Sequence, residues 1–400
     1  MKGTGYNTEM AIRADQRILL AGFPDISSDS VPLLVQSLTP NGLPDTSFGQ
    51  NGFAVFTPAD IDFGIVRKMQ VLSNGKIMIG ALIYVGPNDD EKFLLLRLNE
   101  NGTPDESFRG AGYIIYTYAE GDLPCVSFTV DSLENTFIIG LFDQFQSIGK
   151  LKPNGQQDLQ YGEQGMVLVP TYADSSWTER GDEIELLPDG KFITSATVLA
   201  GNSFRGFVTS RLNPDGSPDP GFGQAGSYFF QSEQANGLFC SIHVQPDGKI
   251  LYQDYYSYNR DVTLFRLEAS GMPDLSFGEA GSIYLSQLYA PMSKNCVLVC
   301  PDGTILMPYS IDIEKTRHNY LCRFHPDFTP DTTFGDHGRF ELPTEISGLA
   351  PTAILFQEGN KVLVNIIGQE PPIYFSSLVR MNVDKMTGVQ EPGISVSYTS

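Results

Sequence analysis

Cationic residues are scarce in this chain: 26 Lys and Arg stand against 47 Asp and Glu, giving a formal net charge of -21. Proteins that hold nucleic acid draw most of their affinity from neutralising phosphates, so this balance argues against that partner. It disfavours an anionic membrane surface on the same ground, and its simplest consequence is solubility. Long apolar runs are also missing. No stretch reaches the roughly 18 residues a membrane-spanning helix needs, and the opening MKGTGYNTEMAIRADQ lacks the apolar core of a secretory signal. The expected location is the cytoplasm, or outside the cell by a route without such a signal. Cysteine is sparse and odd in number, at Cys125, Cys240, Cys296, Cys300 and Cys322, which is no disulfide framework. Most of the five sit in alternating apolar runs, where Cys behaves as a small core residue.

What the chain has in abundance is repetition. One signature is Leu, then Gly four residues on, then Asp, an aromatic and two Gly. It reads LTPNGLPDTSFGQNG from Leu38, LNENGTPDESFRGAG from Leu98 and LKPNGQQDLQYGEQG from Leu151. It returns as LNPDGSPDPGFGQAG from Leu212, LEASGMPDLSFGEAG from Leu267 and FHPDFTPDTTFGDHG from Phe324. Its Asp recurs at Asp45, Asp105, Asp158, Asp219, Asp274 and Asp331, at steps of 60, 53, 61, 55 and 57. The accompanying aromatics are Phe48, Phe108, Tyr161, Phe222, Phe277 and Phe334. A second signature, a turn between apolar runs, precedes each copy: SNGKIMIG, LPDGKFIT, QPDGKILY and CPDGTILM, with degenerate forms ADQRILLAG, LENTFIIG and EGNKVLVN. The last of these marks a seventh, degenerate copy over 355–400 that has lost the Asp-x-x-Phe-Gly segment.

Each copy reads as four short strands. Asp-Gly and Asn-Gly accept the positive φ of a tight hairpin, so the strand before the turn pairs with the strand after it. A third strand leads into the Leu signature and a fourth follows its final Gly. Four-stranded antiparallel sheets repeated seven times predict an all-β, seven-bladed β-propeller forming a single domain over 1–400. A single Trp excludes repeats that each need one, among them the WD40 unit, the sialidase Asp-box and the quinoprotein propellers. The recurring Asp is expected to cap a turn through backbone N–H groups, the aromatic to plug the gap between blades, and the Gly residues to supply positive φ. Calcium at NPDGSPD through Asp215 and Asp219 is the competing reading, but most copies replace Asp215, leaving one carboxylate per loop.

The paired motifs resemble the delta-60 repeat family of bacterial β-propeller proteins, over nearly the whole chain from Glu9 to about Ser400. That resemblance implies a fold and carries over no catalytic residue. A looser similarity to the NHL repeat implies that the strand before the Asp-Gly turn is innermost. The other phase puts the fourth strand inside and closes the ring by pairing GISVSYTS with EMAIR, and both phases stand at this point.

In either phase alternate connections share a face. The Asp-Gly hairpins and Asp-x-x-Phe-Gly loops occupy one regular face; the connections that vary in length occupy the other. Binding residues usually sit on variable loops held by a rigid scaffold, so the candidate binding set is Trp177, Arg180, Tyr255, Tyr256, Tyr258, Arg260, Tyr289, Arg317 and Tyr374 on or near that face. The competing reading is that these aromatics only cover loop bases. No catalytic constellation, metal site or cofactor is expected: Cys322, His318, His325 and His337 are close in sequence but assigned to different ends of a blade, which zinc does not accept. The function expected is a non-enzymatic binding or protein-interaction scaffold. It would be a monomer, with an unknown protein or carbohydrate ligand, no nucleic acid and no membrane insertion. The alternative is a propeller enzyme, a lyase or hydrolase on a glycan or small lactone, with its site at the channel mouth.

Overall fold

A computed structural model describes residues 9–23, 31–57, 61–86, 90–117, 127–142, 145–170, 178–201, 203–231, 239–255, 262–285, 296–314, 316–342, 350–370 and 373–383. The fold is a seven-bladed β-propeller of antiparallel sheets. Its contacts gather into two compact units, Met1–Gln234 and Ala235–Ser400. Among the described residues no helix is long and apolar enough to cross a membrane.

The first unit holds four blades. Blade 1 comprises Glu9–Ile12, Ile18–Gly22, Leu33–Leu38 and Phe53–Phe56, and blade 2 comprises Ile61–Val71, Ile77–Val85, Asp90–Leu98 and Tyr113–Tyr116. Blade 3 comprises Ser127–Val130, Thr136–Phe142, Phe145–Leu151 and Met166–Leu168, and blade 4 comprises Thr178–Leu186, Phe192–Ala200, Ser203–Leu212 and Ser227–Gln231. The second unit holds three. Blade 5 comprises Phe239–Val244, Ile250–Tyr255, Val262–Leu267 and Ser282–Leu285; blade 6 comprises Leu298–Val299, Ile305–Ile313, Thr316–Phe324 and Arg339–Glu341. Among the described residues blade 7 shows three strands, Ala350–Gln357, Lys361–Glu370 and Ile373–Asn382. In every blade the strands are hydrogen-bonded in chain order, so a blade coincides with one sequence copy.

The phase of the strands is now decided. In the first unit the first strands of blades 1, 2, 3 and 4 lie beside one another in succession, and in the second unit those of blades 5, 6 and 7 do the same. Strands of neighbouring blades meet where the sheets converge, so the strand before each hairpin turn is innermost. Segment 393–400, which the other phase paired with the N-terminus, lies outside the described residues.

The innermost strands of blades 2, 4 and 7 each carry a β-bulge at the same level, between Val66 and Lys68, Gly181 and Glu183, and Pro351 and Ala353. A bulge re-aims the side chains around it. In blade 2 it accompanies Lys68, whose Nζ donates to Ile184 O at 3.0 Å and to Glu185 Oε1 at 2.5 Å, with Glu183 Oε1 at 3.8 Å. This side chain therefore leaves blade 2 and ends on blade 4. Burial works against its charge, but Glu185, Glu183 and Glu9 outweigh it and raise the Lys68 pKa above the ordinary value.

Blades stack through apolar walls. Ile79, Ala81, Leu94 and Leu96 of blade 2 are buried against Leu19, Ala21 and Leu33 of blade 1. Gly80 allows the closest approach on the other side: a Cβ there would sit 2.8 Å from Phe93 and 2.9 Å from Phe128 of blade 3.

Candidate functional site

The regular face is built from one repeated set of contacts. Each signature Asp lies at the start of a turn, and Oδ1 accepts the backbone N–H two residues on. The donors are Ser47 at 3.2 Å, Ser107 at 3.1 Å, Gln160 at 3.4 Å, Gly221 at 3.0 Å, Ser276 at 3.0 Å and Thr333 at 3.0 Å. Oδ2 faces inward to a guanidinium on the third strand of the same blade. Arg97 Nε donates to Asp105 at 2.6 Å, and Arg211, Arg266 and Arg323 donate to Asp219, Asp274 and Asp331 at 2.7 Å. A lysine from the hairpin closes the set in three blades, Lys76 on Asp105 at 2.9 Å and Lys191 and Lys249 on Asp219 and Asp274 at 2.8 Å.

The same arginines stack on the signature aromatics: Arg97 over Phe108, Arg211 over Phe222 and Arg323 over Phe334 at 4.7 Å, Arg266 over Phe277 at 4.3 Å. Three of them also reach the next blade. Arg97 Nη1 donates to Pro153 O at 2.6 Å, Arg266 Nη1 to Pro326 O, and Arg323 Nη1 to Val383 O at 3.5 Å. Guanidinium suits this work because its planar fork serves several acceptors while its face rests on a ring. The latch therefore joins a strand, a turn and a neighbouring blade through one side chain.

Two blades reach the same end by other residues. In blade 1 Ser37 stands at the arginine position and donates to Asp45 Oδ2 at 3.0 Å, with Arg17 Nε at 3.1 Å. The inter-blade bond comes instead from Arg13, whose Nη1 donates to Glu100 O at 2.9 Å. In blade 3 Lys150 takes the arginine position, with Nζ 3.2 Å from Asp158 Oδ2 and 5.7 Å from the centre of the Tyr161 ring. The aromatics then pack on the Asn-Gly turn of the following blade. A Cβ on Gly102 would lie 2.8 Å from the Phe48 ring, and one on Gly155 2.8 Å from Phe108. Blade 6 has Phe328 where the others have Gly, still at φ 66° and stacked on Phe324 at 4.1 Å.

Electrostatics follow the geometry. Burial alone would raise Asp105, but hydrogen bonds from Ser107 and Lys76 and the charge of Arg97 hold it at about 2. Asp219 is also at about 2, chiefly through Lys191 and against burial. Asp274 is lower still, where bonds from Lys249 and Ser276 overcome its burial. These carboxylates are spent within the fold. Among the described residues no group of three or more His, Cys, Asp or Glu is placed to hold a metal ion.

Of the candidates for the variable face, Trp177, Tyr256, Tyr258, Arg260 and Tyr289 lie outside the described residues. The remaining four candidates are strand residues, because the strands run farther toward this face than the turn signals suggest. Arg180 pairs with Thr197 in blade 4, Tyr255 with Val262 in blade 5 and Tyr374 with Gln369 in blade 7. Arg317 lies in the third strand of blade 6 opposite Asp312, half-buried. His318, read as a loop residue from sequence, is its strand neighbour.

His318 belongs to a wall that the sequence reading missed. In blade 6 the register Met307–Cys322–Arg339, Tyr309–Tyr320–Glu341 and Ile311–His318 puts these side chains on one face. That face looks toward blade 5, since Met307 and Ile305 are buried with Leu251, Val262, Leu264 and Phe277. Tyr309 and Tyr320 stack at 5.4 Å, His318 lies nearly parallel to Tyr320 at 6.5 Å, and Arg339 sits 5.2 Å above the Tyr320 ring. His318 Nδ1 is 2.7 Å from Glu341 Oε1. Burial pushes the Cys322 thiol up to about 11 and raises Tyr309 and Tyr320 as well, whereas a hydrogen bond to Tyr309 raises Arg339. On the facing wall Gln253 is 2% exposed and its Oε1 is buried with no hydrogen-bond partner.

A family model described as "Domain of unknown function (DUF5122) beta-propeller" matches residues 72–108, 187–222 and 245–277. Each matched stretch runs from a hairpin turn to the signature aromatic, the span that contains the whole Lys–Arg–Asp latch of blades 2, 4 and 5. No curated protein matches the chain significantly. Among solved structures it is similar to the polysaccharide lyase Uly1, at 9% identity and TM-score 0.52, over 95% of this chain and 90% of that one. It is also similar to prolyl oligopeptidase B from Galerina marginata, at 10% identity and TM-score 0.51, over 98% of this chain and 52% of that one. The chain thus spans about half of the peptidase. A protein of unknown function from Dyadobacter fermentans matches at 11% identity and TM-score 0.48, over 94% of each chain. Likeness at such identities concerns the fold alone.

Proposed function

We propose that this chain is a binding or interaction scaffold that engages its ligand through the variable face. The observation that carries the reading is the division of labour between the two faces. The polar residues that the copies share, from Arg97–Asp105 to Arg323–Asp331, are consumed in latches within and between blades. Recognition then falls to what the copies do not share: Trp177, Arg180, Tyr255, Tyr256, Tyr258, Arg260, Tyr289, Arg317 and Tyr374. Such side chains dominate recognition surfaces because they combine large area with a polar tip.

A glycan and metabolite binding screen on the full chain tests it, repeated with Trp177→Ala and Tyr256→Ala. Loss of a wild-type hit in either variant, with unchanged thermal unfolding, supports the reading; hits indifferent to both variants remove it. A second reading, an enzyme acting on a glycan or small lactone, is favoured by the His318–Glu341 pair beside Tyr320 and Arg339. It requires turnover in the same screen that is lost in His318→Gln, and binding without turnover overturns it.

A further inference from the structure

In each of blades 1 to 6 the fourth strand begins 15 residues after the third strand ends, as with Leu98 and Tyr113 or Phe324 and Arg339. The register is as constant. The residue two before the third strand's end pairs with the residue that opens the fourth, from Gln36 with Phe53 in blade 1 through Leu96 with Tyr113 and Gly149 with Met166 to Cys322 with Arg339 in blade 6. Among the described residues blade 7 ends at its third strand, Ile373–Asn382, which lies at the edge of its sheet. The fourth strands that edge the other blades run three to five residues, and this edge strand runs ten. A long strand at a sheet edge is a template for one more.

An alternating run of sequence stands where that rule requires one. Val362, the first apolar residue after the hairpin turn, pairs with Met381 as Ile77 pairs with Leu98, so Met381 holds the position at which the third strand ends in blade 2. Fifteen residues on is Val396, opening the run Val396, Ser397, Tyr398 and Thr399, which lies outside the described residues. The constant register would set Val396 opposite Val379 and Ser397 opposite Leu378. Val379 is buried with Val364 of its own blade and with Leu306 and Leu321 of blade 6. Alternation would then turn Val396 and Tyr398 toward blade 6 and Ser397 and Thr399 away from it, and a slip of one residue would reverse both. The connection lacks the latch: Gly388 stands eight residues after Arg380, where every other blade has Asp, and Glu391 replaces the aromatic.

We infer that the outer edge of blade 7 is a strand-binding site for an extended peptide with apolar residues at every second position, and that its resident occupant is 396–399 of the same chain, antiparallel, with Val396 opposite Val379. Without a latch the occupant is held by strand pairing and one apolar face, so a free peptide of the same sequence can take its place. The inference is independent of the variable-face reading. Two measurements on the full chain test it. With Val379→Cys and Val396→Cys together, mild oxidation is expected to join the two positions within one chain, because facing residues of an antiparallel pair lie within disulfide reach. With Val379→Cys and Ser397→Cys, whose thiols would point to opposite sides, the pair is expected to stay open; peptide mass mapping separates either bond from those of the native cysteines. The second measurement is hydrogen exchange at Leu378. Arg97, the counterpart of Arg380, donates its amide to Gly112 O on the fourth-strand side, and the Leu378 amide, two residues away, points to the same edge. Ser397→Pro, which puts a ring where the ladder needs a donor, is expected to speed exchange of that amide at least about tenfold, and excess free peptide GISVSYTS to restore its protection. An open Val379–Val396 pair, equal bonding of both cysteine pairs or a bond between two chains overturns the inference. So does a Leu378 amide indifferent to Ser397→Pro, or one that the free peptide leaves unprotected.

Discussion

Blade 2 and blade 6 share a latch and differ in a wall. At the regular face Arg97–Asp105 and Arg323–Asp331 have the same bond at 2.6 and 2.7 Å and the same stacking on Phe at 4.7 Å. Half a blade away, Leu94 opposite Ala81 in blade 2 becomes Tyr320 opposite Tyr309 in blade 6. One copy was free to change its wall because the latch, not the wall, sets where the turn, the strand and the next blade meet. The latches are not equally strong, however. The Arg97 side chain is 2% exposed and its carboxylate also takes Lys76, whereas the Arg323 side chain is 21% exposed and Thr304 stands where blade 2 has that lysine.

The largest expected effect tests that inequality. Arg97→Ala leaves Asp105 buried and should cost about 3–5 kcal/mol; Arg323→Ala, at a wetter site, should cost about 1–2 kcal/mol. Urea unfolding of both variants decides it, and equal losses would show that burial does not grade the latches. Next comes the wall. Leu94→Ala should cost about 2–4 kcal/mol in cavity and transfer terms, while Tyr320→Phe at the same register should stay within about 1 kcal/mol. Comparable losses at the two sites would mean that the blade 6 wall is as structural as the blade 2 wall.

Acid offers a third contrast. Asp105 titrates at about 2 in the folded chain, below the ordinary 3.8, so its contribution is complete above about pH 4 and is lost as the pH falls toward 2. With Asp105→Asn the slope of stability between those values should flatten, by up to about 2 kcal/mol in total; an unchanged slope would place acid sensitivity elsewhere. The smallest effect concerns blade 3, where the signature aromatic is Tyr161 rather than the Phe of blades 2 and 6. Its hydroxyl is buried with no hydrogen-bond partner. Tyr161→Phe should be neutral or stabilise by up to about 1 kcal/mol, and a clear loss by differential scanning calorimetry would reveal a partner for that hydroxyl.

The blades were legible in the sequence because a hairpin turn and an Asp-x-x-Phe-Gly loop are local events, written in adjacent residues. The arginine was written there too, in LLLRLN, TSRLN, LFRLE and LCRFH, always eight residues before the Asp. It passed for an ordinary strand residue because its partners are a turn in its own blade and, for Arg97, Arg266 and Arg323, a carbonyl in the next. Arg13 was less visible still, since it supplies from a hairpin the bond that blade 2 draws from a third strand. Strand phase could not be read at all: a repeat of four strands gives the same string whichever strand is innermost, and only contacts between copies break the tie. The blade 6 wall alternates like any strand pair, and it stands out only when its register is laid over that of blade 2.

Lys68 has a consequence of a different kind. Arrays of repeats are usually described by a term for each repeat and a term for each adjacent pair. A side chain that leaves blade 2 and ends on Ile184 and Glu185 of blade 4 adds a second-neighbour term, which penalises any state in which blade 3 opens while its two neighbours stay formed. The backbone amides of blades 2, 3 and 4 should then exchange with solvent as one cooperative block, and Lys68→Met should let that block divide.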